Sequence, residues 1–177
     1  MNKVFEGFDL TNFWEDSNYA REKYIDVPLT EEILVNVENE LGYKLPQSYI
    51  HLMKTQNGGI PKKDVFQFGE PSEWVDFFVS EICFSGIGFT KDNSLCGKTG
   101  MKYMIEEWEY PEIGVLFCSD GHNALFLDYR ECGSKGEPKV VFIQEEYDYK
   151  TTILAENFET FVRGLINYTE LPENWDI

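Results

Sequence analysis

The apolar positions of this chain fall into two kinds of spacing, and each predicts a different element. Over 30–41 they recur at helical intervals, so that Ile33, Leu34, Val37 and Leu41 share one stripe. Thr30 stands before the stripe as a cap, and Leu29 can staple onto Leu34. Glu31 and Glu32 sit where the positive end of the helix dipole favours them, and Gly42 follows as a left-handed stop. Pro46 is expected at the first position of a second helix, where its missing N–H is not needed. Tyr49, Leu52 and Met53 would face inward there, and Asn57-Gly58-Gly59 would end it. The short link makes these two helices neighbours. His51 falls off the inner stripe and reads as a surface residue. A shorter helix is predicted over 102–109, with either Met101, Ile105 and Trp108 or Met104 and Trp108 on its inner face. A last one follows the cap Asn157 and buries Phe158, Phe161, Val162 and Leu165. Leu10, Phe13 and Trp14 also have helical spacing, which predicts a short helix and an extended arm, carrying Tyr19 and Tyr24, over the main body.

Strand patterns occupy the middle of the chain. The runs 115–118 and 124–127 are apolar on both alternations, joined by Ser119-Asp120-Gly121-His122-Asn123. A glycine-containing connection of this length between two such runs predicts a hairpin. Apolar residues pointing both ways predict central strands with something packed on each face. Val140-Val141-Phe142-Ile143 reads as the next strand, beside 124–127. Further strands are predicted at 65–68, 74–79 and 82–84. Ser85-Gly86-Ile87-Gly88 is a turn rather than a nucleotide fingerprint, because the third glycine and the following helix are missing. Residues 89–100 and 129–138 read as loops, and 171–175 as a strap. The whole is an α+β chain of one domain with a central, mainly antiparallel sheet: an arm over 1–28, a core over 29–167 and a strap over 168–177.

Charge changes this picture. Thirty-two acidic residues face 15 basic ones, for a net charge of −17. Such a field repels nucleic acid and anionic membrane, and the longest basic cluster is only Lys62-Lys63. A basic partner would be attracted and steered. The N-terminal residues lack the layout of a signal peptide, and no run approaches a membrane span. A cytoplasmic location follows as an expectation, with Cys83, Cys96, Cys118 and Cys132, far apart in sequence, as reduced thiols. A metal site on Cys118, His122 and Cys132 lacks zinc-like spacing and a fourth ligand.

Candidate chemistry is sparse. Asp120 and His122 are the only carboxylate and imidazole close together in the chain. Asp, Gly and Asn are also what a hairpin turn selects for backbone reasons, so this pair is expected to be structural. There is no nucleophile elbow, phosphate loop or His-Glu-x-x-His pair. No catalytic, cofactor-binding or metal-ligating residue is assigned, and no cofactor is expected. Two acidic and aromatic segments stand out instead as candidate partner-binding surfaces: Glu106, Glu107, Trp108 and Glu109, and Glu145, Glu146, Tyr147 and Asp148. Asp120 and His122 would lie at an interface edge.

Two stretches carry a family resemblance. One runs from Glu38-Asn39-Glu40-Leu41-Gly42-Tyr43-Lys44-Leu45-Pro46-Gln47-Ser48-Tyr49 to Asn57-Gly58-Gly59. The other runs from Trp108-Glu109-Tyr110-Pro111-Glu112-Ile113-Gly114 through Gly121-His122-Asn123 and Leu127-Asp128-Tyr129-Arg130 to Gly136-Glu137-Pro138. Together with the helix Phe158-x-x-Phe161-Val162 they resemble the SUKH superfamily, bacterial relatives of the yeast cell-wall (glucan) synthesis regulator domain. The resemblance implies an α+β fold without a catalytic set. It implies a cytosolic immunity protein that binds and neutralises a polymorphic toxin, often a nuclease; the alternative is a regulatory or scaffold module that binds a cellular protein. Where the family pattern commonly has aspartate after Gly-His this chain has Asn123, which removes a charge from the turn. Charge and resemblance together predict an acidic surface that occupies the basic substrate groove of a toxin, partly by mimicking phosphate.

Overall fold

A computed structural model describes residues 3–173. Its centre is a four-stranded antiparallel meander of β3 (Gly114–Ser119), β4 (Asn123–Asp128), β5 (Lys139–Gln144) and β6 (Lys150–Ala155) in the order β3-β4-β5-β6. Before it come α1 (Asn18–Lys23), α2 (Glu31–Leu41), α3 (Gln47–Thr55), the short strands β1 (Phe66–Gln67) and β2 (Phe78–Val79), and α4 (Met101–Trp108). After it come α5 (Phe158–Arg163) and a 3-10 turn, Tyr168–Glu170.

The double-faced apolar pattern has the expected consequence. Alternate side chains of a strand point to opposite faces. Val115, Leu127, Val140 and Phe142 fall on one face, where Tyr49, Leu52 and Met53 of α3 and Phe158, Phe161 and Val162 of α5 join them in the larger core. Leu116, Phe126, Val141 and Ile143 fall on the other, under Met104, Tyr110 and Ile113. Aromatic rings dominate the larger core: Phe84 stacks on Phe117 with centroids 5.8 Å apart, and Tyr49 meets Phe158 at 4.8 Å.

The paired helices form as their caps require. The Thr30 hydroxyl accepts from the Ile33 N–H at 3.2 Å, and Gly42 closes α2 at φ 81°. Pro46 is the residue before α3 rather than its first turn, with extended backbone. The two stretches that carry the resemblance meet here. Lys44 N–H donates to Ser134 O, Tyr129 OH donates to Lys44 O, and the Tyr43 and Tyr129 rings lie 4.6 Å apart.

Below them Asn57 links three segments. Its amide donates to Val27 O at 2.8 Å and Ile87 O at 2.9 Å, and accepts from Ile87 N–H at 2.7 Å. Gly86 faces this residue so closely that a Cβ there would lie 2.4 Å from Asn57 O. Gly86 therefore serves backbone approach, and Gly88 leaves room for the Asp26 carboxylate.

Several sequence expectations are corrected. Residues 10–14 are not helical; Phe13, Trp14 and Glu15 run extended against 60–62, with a Trp14–Pro61 bridge and Glu15 N–H donating to Ile60 O at 2.8 Å. The N-terminal helix lies at 18–23, where the Ser17 hydroxyl caps Ala20 N–H. Of 74–79 only Phe78–Val79 is a strand, because the Ser72 hydroxyl accepts from the N–H groups of both Trp74 and Val75 and bends the chain. Residues 82–84 give a single bridge, Phe84 to Gly59. β6 was not anticipated. β3 is an edge strand rather than a central one, buried because 83–85 runs beside it and Ser85 N–H donates to Phe117 O at 2.9 Å. Leu171 is buried with Val65 and Phe77, whereas Asn174 and Trp175 of the expected strap lie outside the described residues. Among the described residues no helix is long and apolar enough to cross a membrane.

Candidate functional site

Three chain segments converge at the β3–β4 turn end of the meander. The first is the turn 120–122. Asp120 does not pair with His122; its carboxylate accepts from Asn123 N–H at 2.7 Å and so closes its own turn. The second is Glu145–Tyr147, a 3-10 turn that leaves β5 beside the hairpin. Glu145 N–H donates to His122 O at 2.8 Å, and the Glu145 carboxylate meets His122 Nδ1 at 3.1 Å. The third is the C-terminal end of α4, where the Trp108 ring lies edge-on to His122 at 5.4 Å. Gly121 has φ 101°, and a Cβ there would lie 3.1 Å from the Trp108 ring. Tyr110 OH bonds Gly121 O and Tyr149 OH bonds Trp108 O, both at 2.7 Å, and these tie the three segments together.

Trp108, Asp120, His122, Glu145 and Glu146 thus form one rim, and Glu109, Tyr147 and Asp148 border it. Glu109 and Asp148 both take left-handed backbone, at φ 59° and 55°, as each ends a helical turn. Glu107 is exposed on α4. Glu106 departs from this grouping and lines a different hollow with Glu40 and Glu112. His122 is held above its usual pKa by its hydrogen bond to Glu145, against the opposing effect of desolvation, with the charges of Glu146, Glu145 and Asp120 adding to the field.

Asp120 also lines a cleft of about 740 Å³ that no sequence motif announces. Its described lining holds the carboxylates of Glu15, Asp64, Asp76, Glu81 and Asp120 and no Lys, Arg or His. Tyr19, Tyr24 and Phe78 supply aromatic wall. Burial pushes the Asp64 carboxyl above the usual range, and the negative charges of Glu81 and Glu15 add to this. Asp76 is oriented by the buried Gln144, whose amide donates to it at 2.7 Å. These acids are scattered from 15 to 120, so no local motif announces them; only folding assembles them. Trp74, 89% exposed, lies on the loop that carries Asp76.

The cysteines are not all apart. Cys83 and Cys118 meet with their sulfurs 3.1 Å from each other at the cleft, whereas Cys132 is exposed on the 129–138 loop. Among the described residues no group of three His, Cys, Asp or Glu side chains could hold a metal ion.

The class defined by fold and site is a single α+β domain whose helices cover an antiparallel sheet and whose hairpin end presents carboxylates and aromatic rings. The sequence model of the SMI1/KNR4 family (SUKH-1) matches residues 28–164, and the chain belongs to that family. No curated protein matches it.

Proposed function

We propose that this protein is a non-enzymatic cytosolic immunity protein that neutralises a cognate polymorphic toxin by direct binding. The observation that carries this reading is the continuity of the acidic rim around Trp108 and His122 with the five-carboxylate cleft at Asp120. A partner with a basic substrate groove, as a nuclease has, would meet carboxylates in place of phosphates, with aromatic rings beside them as anchors. The net charge of −17 would steer its approach. A standard interface of about 800 Å² per partner is small beside the 9966 Å² surface of the chain. Family membership supports a binding role, and the docking face is our assignment from charge and shape.

The test is co-expression rescue of cells that make a candidate toxin domain from a neighbouring gene, followed by capture of the complex. Rescue and a co-purifying toxin are expected. Survival that does not depend on this protein overturns the immunity reading. Reversal of Glu109, Glu145, Glu146 and Asp148 to lysine should slow association by at least about tenfold and flatten its salt dependence. Binding that ignores both salt and reversal overturns the acidic docking face. Capture of a resident cellular protein without toxin rescue would instead support a regulatory module.

A further inference from the structure

We propose that Cys83 and Cys118 form a redox-active thiol pair, a modification site that closes to an intramolecular disulfide when it meets a small neutral peroxide. The pair is built by backbone, not by chance rotamers. β3 carries a bulge between Leu116 and Cys118, which sets Cys118 opposite Leu125 and leaves Phe117 as the extra residue. A bulge re-aims the side chains that follow it. The segment that bears Cys83 is held along the same edge by Ser85 N–H donating to Phe117 O at 2.9 Å. Cys83 N–H points at the Cys118 sulfur at 3.3 Å, and the two sulfurs are 3.1 Å apart. Neighbouring extended segments hold Cα atoms roughly 4.5–5.5 Å apart, within the span a disulfide bridges.

The sulfurs are close enough to share a proton, so one thiol can leave as thiolate while the other donates to it. Both thiols line the cleft, which gives a small molecule its path. The carboxylates around that path exclude anionic reagents and admit uncharged ones.

The chemistry balances with hydrogen peroxide as oxidant. The thiolate of one cysteine of the pair attacks one peroxide oxygen and the O–O bond breaks, leaving a sulfenic acid and hydroxide, which takes a proton to become water. The sulfur of the other cysteine then attacks the sulfenic sulfur. The S–S bond forms, the S–O bond breaks, and the hydroxyl leaves as a second water with the proton of the attacking thiol. Two thiols are oxidised by two electrons and one peroxide is reduced. The product fastens the 82–85 segment to the sheet edge next to Asp120, so it tethers one wall of the cleft.

Hydrogen peroxide on the full chain is expected to remove two of the four thiols, with Cys83 joined to Cys118 in the peptide map. The midpoint of thermal unfolding should rise by on the order of 10 °C and return on addition of dithiothreitol. Cys118→Ser and Cys83→Ser should each form no intramolecular bridge, and the cysteine left in the cleft should stop at a sulfenic acid trapped by dimedone. The double variant Cys96→Ser/Cys132→Ser should form the bridge unchanged. Four thiols still titratable, oxidation confined to exposed Cys132, or a bridge to any other cysteine overturns the proposal.

Discussion

Replacement of Asp26 tests the account of how the helices are fastened to the sheet side. Asp26 is buried, 5% exposed, and follows α1 in a segment that Asn57 holds by accepting the Asp26 N–H. Its carboxylate accepts from Val27 N–H at 2.6 Å, Thr90 N–H at 3.1 Å and the Ser94 hydroxyl at 2.5 Å. Ser94 is fully buried, whereas Val27 and Thr90 are exposed. In Asp26→Ala the Ser94 hydroxyl loses a charged partner without access to water, which costs about 2–3 kcal/mol. The two backbone donors can turn to water, at roughly 0.5–1 kcal/mol each. The total is about 4 kcal/mol, or a fall of about 8–16 °C in the unfolding midpoint for a chain of this size. Asp26→Asn keeps one acceptor oxygen and should lose about half as much.

The sign of the pH dependence follows. Burial alone would raise the Asp26 pKa, but the hydrogen bonds from Ser94, Val27 and Thr90 outweigh it and leave the folded value below the ordinary one. A depressed carboxylate contributes stability above its unfolded pKa and loses it as pH falls through the folded pKa. The deficit of Asp26→Asn should therefore be full at pH 7 and shrink below about pH 4, where the native residue is protonated too. Urea unfolding followed by tryptophan fluorescence at stepped pH measures this. An Asp26→Ala variant within about 1 kcal/mol of the parent, or an Asp26→Asn deficit that does not narrow in acid, refutes the reasoning.

Three further outcomes follow from the geometry. Gly86→Ala should destabilise by about 2–3 kcal/mol in chemical denaturation, since its Cβ would meet Asn57 O at 2.4 Å; Gly42→Ala, with φ 81° but nothing within 4 Å, should cost only about 1 kcal/mol. Trp108→Ala should cost roughly 2 kcal/mol and unlock the hairpin, read as faster amide exchange at Gly121 and His122, because the half-buried ring packs on both. His122 should titrate above 6.5 in proton NMR and move down in Glu145→Gln, since Glu145 is the largest cause of the shift. As a raised histidine, His122 adds stability that is full below its unfolded pKa and is lost as pH rises through the folded one.

What was legible in sequence depended on how locally each feature is encoded. The caps of α2 and α5, the left-handed stop at Gly42 and the β3–β4 hairpin rest on neighbours a few residues apart, and they form where expected. β6 was missed because its pattern is exposed rather than apolar: Ile153 is 55% exposed, and Lys150, Thr151 and Thr152 give little hydrophobic signal. The false helix at 10–14 had the right spacing, but pairing with 60–62 bound its backbone instead. In sequence the candidate residues read as two separate acidic segments and a turn. That Trp108, His122 and Glu145 touch one another is a matter of tertiary packing, as is the removal of Glu106 to another hollow.

The sequence by itself determined the class of fold, the family, the acidity and the local elements, because hydrophobic period, capping and turn chemistry act over a few bonds. Only the tertiary structure decided that β3 lies at an edge and that five carboxylates from distant segments share one cleft. It also decided that Cys83 meets Cys118 and that Asp120 caps its own turn while His122 turns to Glu145. Each of these joins residues whose proximity is set by strand order, by a bulge or by the meeting of loops. No pattern along the chain carries that information, since it arises when the two faces of one sheet are buried at once.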